Sequence, residues 1–299
     1  MATPEHPFLV VKVRLVVLLF LAIATGFSLI FGFLGALDLL PLQPEDPIVP
    51  PLLYSLIFVS LCGAILMGAR RSPLRLRFLI GHWPQAIHWP SFMLLVCSVF
   101  LFSLGAFQVS YLALSWIAPG LVETTLQQSL VLSAGETAYP QLYTPVVTFS
   151  VLVVAPVTEE FIFRGVLLHR WGVKWGLRPA ILLTSMVFGV LHSNLVGLFV
   201  FGLIMALLYL KTQSLLVSMV AHGINNGIAS LIEFLTLQAS TTMPTDTLAE
   251  FQSSWWLGVL CLAVSAPWLW RYLRRHWPTA ATPLPYFANS LGTTPPSQR

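Results

Sequence analysis

Val153-Val154-Ala155-Pro156-Val157-Thr158-Glu159-Glu160-Phe161-Ile162-Phe163-Arg164-Gly165-Val166-Leu167-Leu168 is an apolar run with three charges set in its middle. It belongs to a longer apolar stretch over 144–169. At about 1.5 Å of rise per residue, such a stretch crosses the ~30 Å hydrocarbon layer of a bilayer as a helix. Comparable runs lie near 16–37, 51–69, 90–117, 180–192, 195–210, 213–235 and 255–273. Only 9% of the 299 residues are charged and 57% are hydrophobic. A water-facing domain carries roughly 25% charged residues, so this chain has too few to cover one. Alternating ten-residue β segments are absent, which excludes a barrel. The reading is an all-α, polytopic membrane protein of about eight transmembrane helices.

The shortest interval is 179–210. Two full crossings do not fit comfortably in it, so 180–210 reads either as two short spans or as a helical hairpin with its tip near His192 to Gly197 inside the membrane. Domain organisation follows the spans: 1–143 holds the N-terminal spans and loops, and 144–235 a polar-residue-bearing membrane core. The last loop and helix occupy 236–278, and the Pro-, Thr-, Ala- and Ser-rich 279–299 reads as a disordered tail. The cysteines Cys62, Cys97 and Cys261 stand singly in apolar spans and fit packing better than a disulfide framework.

Net charge is +4. In a soluble protein that would suggest nucleic acid, but here the basic residues sit in short loops and set topology instead. Clusters at 12–14, 70–77, 170–178, 211 and 271–299 fall on alternate loops, which makes that side cytoplasmic and puts both termini there. The segments 38–50, 118–142 and 236–254 hold no Lys or Arg but carry Asp38, Glu45, Asp46, Glu123, Glu136, Asp246 and Glu250. Fourteen of the fifteen basic residues obey the rule, and Arg164 is the exception.

A charge at the centre of a membrane helix costs about 2.5–3.5 kcal/mol on insertion scales. Glu159, Glu160 and Arg164 would together cost on the order of 8–10 kcal/mol if left unpaired. Glu160 and Arg164 are i,i+4 neighbours and can form an ion pair. Glu159 lies about 100° around the helix and lacks that partner.

Of seven histidines, only His192 and His222 lie in apolar spans away from basic flanks. His192 closes Phe188-Gly189-Val190-Leu191-His192, and His222 shares a helical face with Asn226 in His222-Gly223-Ile224-Asn225-Asn226. Counting rise from the basic flanks places Glu160, His222 and His192 roughly 15, 16 and 20 Å into the membrane. A lone membrane histidine or asparagine is commonly interhelical hydrogen-bond glue. Six such groups converging in depth ask for more than glue.

A water-activating site needs a base, a polarising group and an oxyanion stabiliser. Glu159 suits the base, His192 and His222 can hold water or stabilise the oxyanion, and Asn226 can add an amide donor. All are expected to line one polar cavity that opens toward 70–88 and 170–178. Two His and one Glu are also a zinc ligand set, so one divalent metal on Glu159, His192 and His222 stays open. The His-Glu-x-x-His arrangement of zinc proteases is absent.

The ordered trio Glu159-Glu160-x-x-x-Arg164, Phe188-x-x-x-His192 and His222-x-x-x-Asn226 resembles the CAAX-protease and bacteriocin-processing family of intramembrane endopeptidases. The eukaryotic members of that family resemble the Ras-converting CAAX endopeptidase. The resemblance covers roughly 145–230. It implies an eight-helix fold open to the cytoplasm and hydrolysis of a peptide bond in a protein or lipidated peptide at the membrane. It also implies Glu159 as base, His192, His222 and Asn226 as its partners, and Glu160–Arg164 as a structural pair. The family has been described in both metal-dependent and glutamate forms, so the cofactor is left open. The expected location is the plasma membrane of a prokaryote.

Three other classes compete, and one of them, a bis-His haem protein using His192 and His222, would leave the Glu pair unexplained. A proton- or ion-coupled transporter also uses buried Glu and His, but no repeat pairs the two halves of the chain. A non-catalytic scaffold of the same fold is the third, and it would not need every catalytic position filled.

Overall fold

A backbone in hydrocarbon has no water to bond, so each crossing segment must satisfy its N–H and C=O groups internally. The computed structural model follows that rule with helices alone among the residues it describes, which are 8, 11–37, 39, 42–43, 45–69, 74–127, 137–239 and 247–292. The order is α1 Val13–Ala36, α2 Val49–Ala69, α3 Leu76–Ile80, α4 Trp89–Ser115 and α5 Pro119–Gln127. A continuous α6 then runs over Pro140–Trp175. It is followed by α7 Leu177–Val190, α8 Leu195–Thr212, α9 Leu215–Ala239, α10 Thr247–Ser253, α11 Trp255–His276 and α12 Pro285–Ser290. Asp38, Glu136 and Asp246 lie outside the described residues.

Seven described helices (α1, α2, α4, α6, α8, α9 and α11) are long and apolar enough to cross a membrane. The expected eighth, α7, has 14 residues, or about 21 Å of rise. The interval 177–212 is therefore a hairpin with one short leg. Asn194 caps its tip: Oδ1 accepts from the Gly197 N–H at 3.1 Å, while Nδ2 donates to the Ser103 carbonyl of α4 at 2.8 Å. The Tyr111 hydroxyl donates to Ser193 O at 3.2 Å. The tip is thus tied to α4.

Burial ranks the helices. In α8 and α6, 61% and 56% of the most apolar window is buried, against 6% in α1 and in α2. The first two form the interior, and the last two are apolar nearly all round with most of that surface outward, as a lipid-facing helix should be. Membrane helices pack by close backbone approach at small residues. On α4 and α11, a Cβ at Gly105 would sit 2.6 Å from Gly258 O. On α8, a Cβ at Gly202 would come within 2.9 Å of Ser185 Cα on α7.

The expected disordered tail needs correction for residues 285–290. They form α12, with Pro285, Tyr286 and Ala288 buried. The Tyr286 N–H donates to His169 Nε2 at 3.2 Å, and the Phe8 ring stacks on His169 with centroids 4.7 Å apart. The composition of 279–299 as a whole hid a short apolar stretch, Leu284 to Ala288, that is enough to dock. Residues 293–299 lie outside the described ones. Cys62, Cys97 and Cys261 are all unpaired.

Candidate functional site

Both glutamates sit on one short α-helical turn of α6, Ala155–Glu160, between two widened π-helical stretches, Ser150–Val154 and Phe161–Leu167. Such widenings occur often at functional sites. The first has a legible cause. The Ala155 N–H bonds Ser150 O, five residues back. The same register would pair Val151 O with residue 156, but Pro156 has no N–H to give. The Val151 carbonyl is left for a side chain, and Asn226 Nδ2 donates to it at 2.9 Å. One N–H of the Asn226 amide is thereby committed to the backbone of α6, and the other remains.

Glu160 is fully buried and Arg164 is 1% exposed. Arg164 Nη1 donates to Glu160 Oε1 at 2.8 Å, as the i,i+4 spacing predicts. Arg164 Nη2 donates to the Gly202 carbonyl at 3.3 Å, and its guanidinium lies 4.7 Å over the Phe188 ring.

His222 adds a connection that the spacing did not reveal. Its Nδ1–H donates to Glu160 Oε1 at 3.0 Å. A carboxylate only accepts, so Nδ1 carries a proton, and in a neutral ring that leaves Nε2 its lone pair, turned away from Glu160. That Nε2 lies 3.9 Å from Glu159 Oε2, longer than a direct hydrogen bond. The Glu160–Arg164 pair therefore also orients His222. This is the arrangement by which a buried carboxylate holds a catalytic imidazole in one tautomer.

Glu159, 7% exposed, has a partner from outside the expected core. The Tyr54 hydroxyl of α2 donates to Glu159 Oε1 at 2.7 Å. Tyr54 was missed because it lies 105 residues away in an otherwise apolar span. The available signal was chemical: a tyrosine hydroxyl inside a membrane helix needs a partner.

His192 sits at the hairpin tip, half-buried, with Nδ1–H donating to Phe188 O at 2.6 Å. Phe188 touches both imidazoles, its centroid 4.6 Å from His192 and 6.0 Å from His222. The structure thus brings Glu159, Glu160, Arg164 and His222 into one contiguous group. It puts His192 one ring away and turns Asn226 toward the backbone of α6. His169, which the sequence reading passed over as flanking, is fully buried and donates from Nδ1 to Arg164 O at 3.0 Å. It braces the helix that carries the charges.

The zinc set Glu159, His192 and His222 does not fit as placed. Among the described residues no group of three or more His, Cys, Asp or Glu side chains is gathered to hold a metal ion. His222 keeps Nε2 free to ligate while Glu160 holds its Nδ1–H, but His192 is joined to that group through the Phe188 ring and not by a shared polar contact.

Away from the spans, Asp46 anchors the loop before α2. Burial opposes its charge, but bonds from the Thr137 hydroxyl (2.6 Å) and the N–H groups of Ile48 (3.0 Å) and Ala138 (2.9 Å) hold its carboxyl below the usual range.

Fold and site together define an all-α membrane protein with a charged, hydrogen-bonded cluster inside the bilayer-spanning region. Residues 141–228 match the family described as type II CAAX prenyl endopeptidase Rce1-like. The matched stretch contains Glu159, Glu160, Arg164, His192, His222 and Asn226, and agrees with the resemblance read from those residues. It covers under a third of the chain, and Tyr54 lies outside it. No curated protein and no solved structure matches the chain. The family is one of proteases, so the match points to a membrane-embedded hydrolase acting on a protein substrate.

Proposed function

We propose that this protein hydrolyses a peptide bond in a membrane-associated protein or lipidated peptide, with CAAX-type or bacteriocin-type processing as the substrate classes. In this reading Glu159 activates the water and His222 positions it. One observation carries the reading: Glu159 Oε2 and His222 Nε2, both buried, face each other across 3.9 Å. A single water bridges that separation with two ordinary hydrogen bonds. Both facing atoms are acceptors, so such a water is held by its two hydrogens and turns its lone pairs toward the substrate. Attack on the scissile carbonyl passes one proton to Glu159, which can return it to the leaving amine. Tyr54 fixes the other carboxylate oxygen, so Oε2 is the one presented. The negative charge on the carbonyl oxygen falls to the remaining N–H of Asn226, a role in which one donor contributes about 3–4 kcal/mol elsewhere, while His192, its Nδ1–H committed to Phe188 O, lines the site beside it.

Access from the side bearing the basic loops, with both termini on that side, follows from the charge pattern. A scaffold without activity would have no use for a histidine held in one tautomer opposite a free carboxylate. The test compares peptide termini by mass spectrometry in membranes that hold the wild type or Glu159→Gln at equal abundance. New termini confined to the wild type support the reading. Identical termini in both refute it.

A further inference from the structure

Beside the hydrolytic group, a second polar feature lies at the end of the spans that bears the basic loops. A cavity of about 780 Å³ opens between the start of α4, the end of α8 and the end of α11. None of its lining residues comes from α2 or α6, so Tyr54, Glu159 and Glu160 take no part in it. Its polar rim carries Lys211, Arg271, Arg275 and His276. Lys211 lies within electrostatic reach of Arg275, and His276 within reach of both. Among the described residues Lys211, Arg271 and Arg275 have no carboxylate at salt-bridge distance. The chain therefore gathers like charges around one cavity and leaves them unneutralised. Like charges held this close repel unless an anion is brought between them.

The deeper wall is of another kind. Phe92, Leu95, Leu208 and Val217 line it, while Trp268 and Trp277 stand among the charges. Tryptophan at this level is typical of the headgroup boundary of a bilayer. A cationic rim above an apolar, aromatic wall matches a molecule with an anionic head and hydrocarbon tails. Basic pockets between membrane helices are suited to such headgroups.

We propose that this cavity binds an anionic phospholipid, with its phosphate among Lys211, Arg275 and Arg271 and an acyl chain along the Phe92–Leu208 wall. The inference rests on residues separate from those of the hydrolytic reading, so either can fail without the other. A soluble phosphate satisfies the rim alone and leaves the apolar wall unused, which is why the lipid is favoured.

The test uses the full chain in detergent micelles, titrated with phosphatidylglycerol or phosphatidylcholine of identical acyl chains and read by native mass spectrometry. Phosphatidylglycerol should be retained preferentially. In Lys211→Gln/Arg275→Gln its retention should weaken roughly thirtyfold, since each basic side chain at an anionic surface contributes about fivefold. Lys12→Gln/Lys174→Gln, which removes the same charge from another basic patch, should keep most of the retention. If the first pair proves unstable to heat, Arg271→Gln/Arg275→Gln, both exposed, replaces it. Equal retention of the two lipids, or equal loss in the two double variants, would overturn the site. Displacement of the lipid by millimolar inorganic phosphate would overturn the lipid in favour of a soluble anion.

Discussion

Arg164→Ala removes the cation paired with Glu160. Wild-type Arg164 donates to Glu160 Oε1 at 2.8 Å and to Gly202 O at 3.3 Å, with 1% of its surface exposed. Its loss leaves Glu160 fully buried without a counter-charge, a defect that costs about 3–5 kcal/mol where one partner of a buried pair is deleted. His222 still donates to the same oxygen, so the low end, about 3 kcal/mol, is expected. For a chain of this size each kcal/mol shifts Tm by about 2–4 °C, so Tm should fall roughly 6–12 °C. The assay is thermal unfolding in detergent, alongside abundance in membranes. Glu160→Gln in the Arg164→Ala background removes the orphaned charge and should recover most of the loss, giving a coupling of at least about 2 kcal/mol in the double-mutant cycle. Wild-type Tm in the single variant, or additive losses in the double, would refute the claim that this pair holds the site together.

Tyr54→Phe should lower kcat about tenfold with KM little changed, because the carboxylate is freed to rotate while the substrate surface is untouched; steady-state kinetics reads the split. Asn226→Ala leaves the Val151 carbonyl without its donor and should destabilise the protein by about 1–3 kcal/mol in thermal unfolding, in addition to any loss of rate. An activity defect with wild-type stability would show that the bond to α6 is dispensable. Activity should survive strong chelators with the protein pre-incubated to completion, since the donor set is not gathered around a metal. For Asp46, whose folded carboxyl lies below its unfolded value, the stabilisation is full above about pH 4 and is lost as pH falls through the folded value. Unfolding profiles of the wild type and Asp46→Asn should therefore converge below that pH and separate above it.

Much of the site was legible because its logic is local. Glu160 and Arg164 are one helical turn apart and too costly to leave unpaired, so their contact follows from spacing alone. Length left two short spans or a hairpin open over 180–210, and the 14-residue α7 makes one leg short. What spacing could not supply is contact between distant segments. Tyr54 reaches Glu159 from another helix, and no periodicity relates them. The bond from His222 to Glu160, rather than to Glu159 alone, depends on how α9 rotates against α6. Asn226 fell between the two cases. Pro156 announces a carbonyl that needs a donor, but the π-helical widening that decides which carbonyl is visible only in the backbone. The tail was misread because an average over its polar residues concealed five apolar ones.

In the proposed reaction the carboxylate of Glu159 activates the water. The most direct test takes a peptide identified by its new terminus and measures its cleavage by purified protein in lipid nanodiscs, wild type against Glu159→Gln. Glutamine keeps the shape and can still accept the Tyr54 hydroxyl, but it cannot take a proton. Glu159→Gln should fold with an unchanged thermal transition and show a kcat lower by roughly a hundredfold to ten-thousandfold. A folded Glu159→Gln that cleaves within tenfold of the wild type would contradict that role.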